Sequence, residues 1–306
     1  MIKVNWISIG NSTSEGLIMT ININNKVAIV TGASRGIGEG IARVFANEGA
    51  SVICVARSKD DGIKVVNSIN NSGGKAEFIK ADIREENECS ELVNRVIEKY
   101  GRLDIMCHNA GIYPDELMEE MSVEIWDDTI NTNLRSCFLL TKPCISVMRA
   151  QKSGRILFTS SITGPNVAQA RLAAYSASKG GINAFIKAAS LELAKDGITV
   201  NAVSPGNIVT DSLMSLYGED GAKEIAKVVP TGNLGDTKDI GYAMVFLGSD
   251  QAKFRYNAVR FCTCVAGLIL QSHFNTTEMV SLSMIQSEES GWPTVFTIPQ
   301  VGNLSH

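Results

Sequence analysis

Tyr175 and Lys179 are the two residues whose types and spacing most directly suggest chemistry. They lie four positions apart within Ala174-Tyr175-Ser176-Ala177-Ser178-Lys179-Gly180-Gly181, so on a helix their side chains share one face. A free tyrosine has a pKa near 10, but a neighbouring ammonium group favours the phenolate and lowers that pKa. Such a pair can exchange a proton with a substrate oxygen. The spacing alone also occurs by chance on many helices, so it needs supporting motifs.

A glycine-rich turn near the start of the chain predicts a binding site for a phosphate group. Thr31-Gly32-Ala33-Ser34-Arg35-Gly36-Ile37-Gly38 follows the apolar run Lys26-Val27-Ala28-Ile29-Val30, which is typical of a buried strand. Apolar residues then recur at helical spacing, so a helix begins near Ile37. Glycines let the backbone approach a pyrophosphate closely, and a helix N-terminus offers it free N–H groups. The alternative for three glycines alone is a surface turn.

These motifs, in their order along the chain, resemble those of the short-chain dehydrogenase/reductase family. The glycines are spaced G-x-x-x-G-x-G, Asn109-Ala110-Gly111 follows a fourth strand, and Ser161 precedes Tyr175 by fourteen residues. The resemblance covers about residues 26–250. It implies a single α/β domain with a Rossmann-type, doubly wound, mostly parallel sheet of seven strands. It also implies hydride transfer between a nicotinamide cofactor and a ketone or secondary alcohol.

The resemblance implies four catalytic residues, which are Asn133, Ser161, Tyr175 and Lys179. Tyr175 would deliver the proton while Ser161 holds the substrate oxygen by a hydrogen bond. Lys179, together with an oxidised nicotinamide cation, would lower the pKa of Tyr175. Lys179 would also bind the nicotinamide ribose, and Asn133 would hold a water that links Lys179 to solvent. Ser160 is an alternative to Ser161. The loop from Ser161 to Tyr175 is one residue longer than in many family members, so its path is left open.

Two arginines near the expected ribose site favour NADP over NAD. In dinucleotide-binding folds an acidic residue at the end of the second strand holds the 2′-hydroxyl of NAD. Here the second strand, residues 51–56, is followed by Arg57, and Arg35 lies inside the glycine turn. Arginine pairs with phosphate in a bidentate manner, which suits the 2′-phosphate of NADP. The alternative is that Arg57 is a solvated strand end and that Asp60 or Asp61 contacts the ribose.

The resemblance extends the cofactor site to both ends of a dinucleotide. Asp82 and Ile83 would lie beside the adenine, although Asp82 could instead cap the following helix. The backbone of Ile208 and the hydroxyl of Thr210 would bind the nicotinamide carboxamide. The full set of expected cofactor contacts is Gly32, Ser34, Arg35, Gly36, Ile37, Gly38, Arg57, Asp82, Ile83, Asn109, Ala110, Gly111, Tyr175, Lys179, Pro205, Gly206, Ile208 and Thr210. His108 departs from the family pattern and is interpreted as a packed neutral ring rather than a catalytic base.

Residues 211–229 are the expected cover of the substrate and the main source of specificity. The apolar side chains of this segment favour an apolar or extended substrate, although a core-facing amphipathic helix has the same pattern. The resemblance favours a 3-oxoacyl thioester as substrate, with a sugar or polyol as the runner-up. A non-catalytic NADP-binding regulator is the alternative from another class, and the altered sequence after Asp250 motivates it.

Composition excludes several other classes of protein. The 306 residues are 44% hydrophobic and carry a net charge of −4, so no basic surface for nucleic acid is expected. No stretch approaches the ~18 apolar residues of a membrane span. Seven scattered cysteines fit free thiols in a reducing cytoplasm. The pair Cys262 and Cys264 lacks the partners of a metal site, so no metal is expected.

Three regions and a self-association are expected. Residues 1–25 are a poorly patterned N-terminal extension, residues 26–270 form the dinucleotide-binding and catalytic domain, and residues 271–306 are a weakly patterned tail. Within the domain, residues 259–268 are apolar enough to form the seventh strand. The helix from about Ala173 to Lys195, with the long helix that contains Asn133, resembles the surface by which family members pair. A homo-oligomer, either a tetramer or a dimer, is therefore expected, and packing within the monomer is the alternative.

Overall fold

The computed structural model describes residues 21–253 and the backbone of residues 259–262. All of these residues fall in one compact unit of the chain. Most of the predicted N-terminal extension, the pair Cys262 and Cys264 and the tail 271–306 therefore lie outside what can be compared.

Parallel strands form one twisted sheet, as the sequence predicts. Six strands carry described side chains, and every pair of neighbouring strands is parallel. They are β1 (Val27–Thr31), β2 (Ser51–Ala56), β3 (Lys75–Lys80), β4 (Ile105–His108), β5 (Gly154–Thr159) and β6 (Ile198–Pro205). A further short strand, β7 (Val259–Cys262), extends the sheet beside β6, so the spatial order is β3-β2-β1-β4-β5-β6-β7.

Helices cover both faces of this sheet and enclose two apolar cores. In chain order they are α1 (Gly36–Asn47), α2 (Lys59–Asn71), α3 (Glu86–Tyr100), α4 (Val123–Ile130), α5 (Ser136–Gln151), α6 (Ala173–Leu193), α7 (Asp211–Lys227) and α8 (Thr237–Gly248). One core lies under α3, α5 and α6, and the other lies under α1, α2 and α8. Each described helix is too short or too polar to cross a bilayer. The doubly wound architecture of the prediction is confirmed.

The chain reverses its direction of winding between β1 and β4. From β1 the chain proceeds outward through β2 to β3, and it then returns to place β4 on the other side of β1. In open parallel sheets a crevice forms at such a switch point, outside the carboxyl ends of the strands. The glycine turn after β1, Asn109 after β4 and Ser160 after β5 all lie at that edge.

Two helices differ from the continuous helices that the sequence predicts. The long helix expected through Asn133 to about Met148 is divided by a π-helical turn, Asn131–Arg135, between α4 and α5. Side chains after this turn bond back to its carbonyls: the Ser136 hydroxyl donates to the Thr132 oxygen (2.5 Å), and the Cys137 thiol donates to the Asn133 oxygen (3.0 Å). Such back-bonding competes with regular helical geometry.

The cover segment is also divided. Gly218 interrupts α7 with a φ of 62° and a ψ of −177°. This conformation is one that only glycine adopts readily. No described residue of α7 is buried, so the segment is a surface helix with a break rather than a core helix.

Candidate active site

A cavity of about 810 Å³ opens at the carboxyl ends of β1, β2, β4, β5 and β6. Every expected cofactor contact except Gly38 lines it, and so do Ser161, Tyr175 and Lys179. Asn133 lies behind the wall, where its neighbour Thr132 reaches the cavity. The structure therefore brings together residues that are up to about 180 positions apart in the sequence.

The glycine turn has the geometry that a phosphate-binding turn needs. Gly32 and Gly36 have φ angles of 65° and 57°, which L-residues with a side chain rarely adopt. Gly38 does not face the cavity, because a Cβ there would lie 2.2 Å from the Gly32 oxygen and 2.5 Å from Nδ2 of Asn109. Its role is close packing of the helix on the turn, so its assignment as a cofactor contact is not supported.

Thr31 joins the ends of β1 and β4 beneath the cavity. Its hydroxyl accepts hydrogen bonds from the backbone N–H groups of Asn109 (3.0 Å) and Ala110 (3.1 Å). In return the Asn109 amide donates to the Thr31 carbonyl (3.2 Å). These bonds hold the glycine turn and the Asn-Ala-Gly segment in one rigid floor. The sequence prediction included Asn109 but did not assign Thr31 this function.

The glycine turn and the end of β2 each present one unpaired guanidinium group to the cavity. Arg35 and Arg57 are exposed and line it, and neither has an ion-pair partner among residues 21–253. Asp61 lines the cavity as well, but its carboxylate already accepts from Ser58 (2.8 Å) and Lys64 (3.1 Å). Those bonds lower the pKa of Asp61. The other alternative, Asp60, does not line the cavity.

Asp82 is engaged by a residue that the sequence prediction missed. The Arg84 guanidinium donates to both carboxylate oxygens of Asp82, the shortest bond being 2.6 Å, and it also donates to Asp128 (2.6 Å). The bonds from Arg84 lower the pKa of Asp82. Asp82 is not the N-cap of α3, since Glu85 occupies that position. The sequence offered no signal for this cluster, because Asp128 comes from a distant helix.

Ser161 and Ser160 have different partners, which separates their functions. Ser161 lies close enough to Tyr175 to oppose the rise in the pKa of Tyr175, and its oxygen accepts from the Thr163 N–H (3.0 Å). The Ser160 hydroxyl instead donates to the Asn183 side chain (2.7 Å) on α6. Ser161 is therefore the serine beside the candidate proton donor, and Ser160 anchors the strand end to α6.

Lys179 lies beneath Tyr175 on the same face of α6. Its Nζ is 5.5 Å from the centre of the Tyr175 ring and donates to the Thr159 carbonyl (2.8 Å). Burial lowers the pKa of Lys179 to about 8. A Cβ added at Gly111 would lie 3.8 Å from this Nζ, so the glycine leaves the space around the amine free. Lys179 is still mostly charged at neutral pH but releases its proton more readily than an exposed lysine.

The pKa of Tyr175 differs from the sequence prediction. The prediction of a lowered value includes a bound oxidised nicotinamide, whereas in the protein alone burial raises the pKa of Tyr175 and Ser161 only partly opposes that effect. The physical reason is that Lys179 lies against the face of the ring and directs its proton to the Thr159 carbonyl. In the protein alone, Tyr175 is therefore held as a neutral proton donor.

Asn133 connects the catalytic helix to the segment after β4. Its Oδ1 accepts from the Ile112 N–H (2.8 Å), and its Nδ2 donates to the Ile112 carbonyl (2.8 Å) and to the Ser178 hydroxyl (3.0 Å). Ser178 in turn donates to the Tyr175 carbonyl (2.7 Å). Both hydrogens of the Asn133 amide are used by these bonds, so the predicted water could be held only as a donor to Oδ1 or by the backbone.

The nicotinamide end of the expected site is formed by the loop after β6. Ile208 and Thr210 line the cavity, and a Cβ at Gly36 would lie 3.6 Å from the Thr210 methyl group. The Thr210 hydroxyl accepts from the Leu213 N–H (3.2 Å) and caps α7. From α7 itself, Leu213, Leu216 and Tyr217 line the cavity. The apolar cover that the sequence predicts is therefore partly realised by these three side chains.

His108 lies outside the cavity. It is 2% exposed, and its Nε2 is 2.7 Å from the Ser136 hydroxyl. Burial, with a smaller contribution from the charge of Lys179, lowers the pKa of His108 to about 3. The ring is therefore neutral, in agreement with the interpretation from sequence. Across residues 21–253, no group of three or more His, Cys, Asp or Glu side chains is placed to hold a metal ion.

The residues present fit a nicotinamide dinucleotide. The first turn of α1 has no side-chain cap, so its N–H groups are available to a pyrophosphate. The positive φ angles of Gly32 and Gly36 keep that approach open. Two unpaired arginines lie at one end of the cavity, and Tyr175 and Lys179 lie farther along it. The length and chemistry of the cavity thus suit a long anionic ligand.

Comparison with known proteins agrees with this geometry. Residues 26–220 match the family described as short chain dehydrogenase. The chain is 40% identical over 233 residues to a 3-oxoacyl-[acyl-carrier-protein] reductase of Staphylococcus epidermidis, covering 75% of this chain and 94% of the relative. It is 37% identical over 234 residues to the reductase of the same name from Escherichia coli K12, covering 76% and 94%. A solved structure provisionally named a gluconate dehydrogenase, from Agrobacterium tumefaciens, has a TM-score of 0.76 at 27% identity, covering 80% of this chain and 96% of that one.

Proposed function

Since the chain belongs to the short-chain dehydrogenase/reductase family, we propose that it is an NADP(H)-dependent reductase of 3-oxoacyl thioesters. It is an oxidoreductase that acts on CH–OH groups, and the cofactor and substrate are the proposed part. The observation that carries the proposal is the group formed by Ser161, Tyr175 and Lys179 in a cavity that also contains a phosphate-binding turn.

Proton delivery follows from the positions of three side chains. The Ser161 hydroxyl, which lies beside Tyr175, holds the substrate oxygen against the phenol. Tyr175 then donates its proton to the oxygen as negative charge develops there. The Lys179 ammonium beneath the ring stabilises the phenolate that remains. A bound nicotinamide supplies the hydride, and the side chains of the cavity supply the proton and the orientation.

Proton resupply uses the same buried amine. With its pKa lowered to about 8, Lys179 can return a proton to Tyr175 near neutral pH. Asn133 fixes the wall beside it through the bonds to Ile112 and Ser178. We assign Asn133 a positioning function, because its side chain bonds Ile112 and Ser178 and does not line the cavity.

We infer NADP rather than NAD from the charges at the adenosine end. Arg35 and Arg57 offer two unpaired guanidinium groups, whereas Asp61 is already paired with Lys64. Charge-assisted hydrogen bonds contribute about 1.5–3 kcal/mol each. Titration with NADPH and NADH, followed by nicotinamide fluorescence, should therefore show tighter binding of NADPH. Arg57→Ala should weaken NADPH binding about tenfold or more and leave NADH binding unchanged.

Tyr175→Phe tests the chemistry. We expect kcat for a 3-oxoacyl thioester to fall about 10²–10⁴-fold, the usual contribution of a positioned acid, while the dissociation constant of NADPH stays within twofold. Tyr100→Phe is the matched control, because Tyr100 ends α3 and does not line the cavity. Near-normal turnover by Tyr175→Phe would contradict the assignment.

A sugar or polyol is the second candidate substrate. The similarity to the gluconate dehydrogenase-like structure favours it, as do the polar side chains of Asp115, Gln169 and Ser212 that line the cavity. Oxidation of gluconate with NADP⁺, compared with reduction of a 3-oxoacyl thioester under the same conditions, decides between the two. The intact catalytic group argues against a non-catalytic regulator, and turnover of either substrate would exclude that alternative.

The enzyme is further proposed to be a cytoplasmic homo-oligomer. The five cysteines that the structure describes are all buried free thiols, which suits a reducing compartment. Phe138 on α5 and Leu191 on α6 are 52% and 72% exposed, on the two helices that the family resemblance assigns to pairing. Light scattering during size-exclusion chromatography would give the oligomeric state.

A further inference from the structure

Arg171 occupies a strained position at the mouth of the cavity. Its φ is 70°, in the left-handed region that favours glycine. It lies two residues before α6, in the lengthened loop between Ser161 and Tyr175. A strained backbone of this kind persists only where the surrounding contacts hold it, so the contacts of Arg171 must fix this conformation.

The Arg171 side chain joins this loop to the segment after β4. Its Nε donates to the Asp115 carboxylate, and its NH2 group donates to the Asp115 carbonyl (3.2 Å). The Glu116 N–H donates to the Arg171 carbonyl (3.0 Å). Three bonds of different kinds therefore fix the far end of the segment against the entrance to α6, although the ion pair alone is exposed and weak.

Asn133 fixes the near end of the same segment. It bonds both the N–H and the carbonyl of Ile112 at 2.8 Å. Only Tyr113 and Pro114 lie between this clamp and the one at Asp115. Tyr113 and Pro114 are thus held at both ends. The π-helical turn holds one end through Asn133, and the loop before α6 holds the other through Arg171.

Tyr113 is the residue that this double clamp positions. Its ring centre is 6.1 Å from that of Tyr175, with an edge-on angle of 74°. The side chain lines the cavity and is 45% exposed to it and to solvent. A carbonyl group hydrogen-bonded to Tyr175 therefore places the substituents of its carbon next to the Tyr113 ring.

We infer that Tyr113 limits the bulk of the group beside the substrate carbonyl, and that Arg171 holds Tyr113 in place through Asp115. Tyr113 is thus a specificity-determining residue, and Arg171 is a positioning residue that does not touch the substrate. A ketone with a compact or linear group at this position is accepted, whereas a branched group meets the Tyr113 ring, whose backbone is held on both sides. This inference rests on the proposed reduction of 3-oxoacyl thioesters.

The test compares two thioesters of N-acetylcysteamine that differ only beside the ketone. The 3-oxobutanoyl thioester carries a methyl group there, and the 4,4-dimethyl-3-oxopentanoyl thioester carries a tert-butyl group. We expect the wild type to prefer the methyl ketone in kcat/KM. Because one methylene in a fitted pocket changes kcat/KM about 10–200-fold, Tyr113→Ala should reduce this preference at least about tenfold. The dissociation constant of NADPH should stay within twofold.

Arg171→Gly separates positioning from general stability. Glycine relieves the backbone strain at this residue, so the melting temperature should be unchanged or higher, while the preference for the methyl ketone falls about threefold or more. Asp115→Asn should move the preference in the same direction. Lys142→Ala is the matched control, because it removes an exposed ion pair with Glu86 whose residues do not line the cavity, and it should leave the preference unchanged.

Several outcomes would overturn the inference. An unchanged preference in Tyr113→Ala contradicts the bulk limit, and an unchanged preference in Arg171→Gly contradicts the positioning function. A wild type that binds NADPH but reduces neither thioester contradicts the proposed function instead. Binding of the two ketones, measured by the change in fluorescence of bound NADPH, then still decides whether Tyr113→Ala relaxes the discrimination.

Discussion

His108 shows how one buried side chain can make stability depend on pH. The ring is fully enclosed, and burial lowers its pKa to about 3 from an ordinary value of 6.5. Below pH 6.5 the unfolded chain takes up a proton at His108 that the folded protein does not bind. The free energy of unfolding therefore decreases as the pH falls from 6.5 toward 3.

His108→Asn should make the protein less sensitive to acid. At pH 4 the ring in the folded wild type is still neutral. This pH is about 2.5 units below the pKa of His108 in the unfolded chain, which corresponds to a loss of about 3 kcal/mol in the free energy of unfolding. We expect the variant to lose about that much less stability between pH 7 and pH 4 than the wild type. Urea unfolding at the two pH values measures the difference. Equal losses in the two proteins would show that His108 is not the responsible group.

At the scale of residues, the sequence could predict those parts of the site whose chemistry depends on local spacing. Tyr175 and Lys179 share a helical face because they are four positions apart. Arg84 and Arg171 were not predicted, since their partners Asp128 and Asp115 are brought to them only by the fold. The raised pKa of Tyr175 in the protein alone was not predicted for the same reason, because burial is a property of the whole cavity.

At the scale of elements, α1 and α8 pack so closely that only glycine fits at two of their contact positions. A Cβ at Gly40 on α1 would lie 2.4 Å from Cβ and 2.5 Å from Oγ1 of Thr237, the first residue of α8. A Cβ at Gly241 on α8 would likewise lie 2.8 Å from the Cβ of Val44 on α1. These glycines hold the two helices together behind the glycine turn. The α1 N-terminus is thereby held where it faces the cavity.

Gly40→Ala should therefore destabilise the protein despite the higher helix propensity of alanine. Overpacking of this kind usually costs about 1–3 kcal/mol. Gly180→Ala on α6 is the matched control, because no atom of the described chain lies within 4 Å of the added Cβ. That change should stabilise the protein by about 0.5–1 kcal/mol. Thermal and urea unfolding of both variants would test the contrast, and a stabilised Gly40→Ala protein would refute the close packing of α1 on α8.

Elements were predictable where their sequence pattern is continuous. The apolar runs of β1 and β2 led to bounds that agree with the structure within a residue. The π-helical turn was not predictable, because it depends on bonds from Ser136 and Cys137 back to the chain and on His108 from another strand. The break at Gly218 requires knowledge of a φ angle, which a glycine permits but does not demand.

At the scale of the whole molecule, the site is complete within the first three quarters of the chain. Every residue that lines the described cavity lies between Thr31 and Tyr217, and the family match ends at residue 220. The sheet continues as far as β7, whose residues Val259–Cys262 pair with Ala202–Pro205 on β6. The backbone of this strand thus extends the sheet beside β6, the strand that leads to the loop that carries Ile208.

Two deletions should separate the contribution of β7 from that of residues 271–306. A chain that lacks residues 271–306 keeps every described strand, so its NADPH dissociation constant and its turnover should stay within about twofold of the full chain. A chain that lacks residues 259–306 also loses β7 and exposes the N–H and carbonyl groups of β6 at an open sheet edge. That protein should melt at a lower temperature and aggregate more readily.

The comparison of the two deletions is informative because β6 leads directly into the nicotinamide end of the site. Without β7, the Ala202–Pro205 backbone loses its outer partner, and the loop that follows it loses support. If only the chain that lacks residues 259–306 binds NADPH more weakly, the loss of binding is caused by the missing contact between β6 and β7. Weaker binding already in the shorter deletion would mean instead that residues 271–306 complete the site or its assembly, and light scattering on the same samples would separate those two causes.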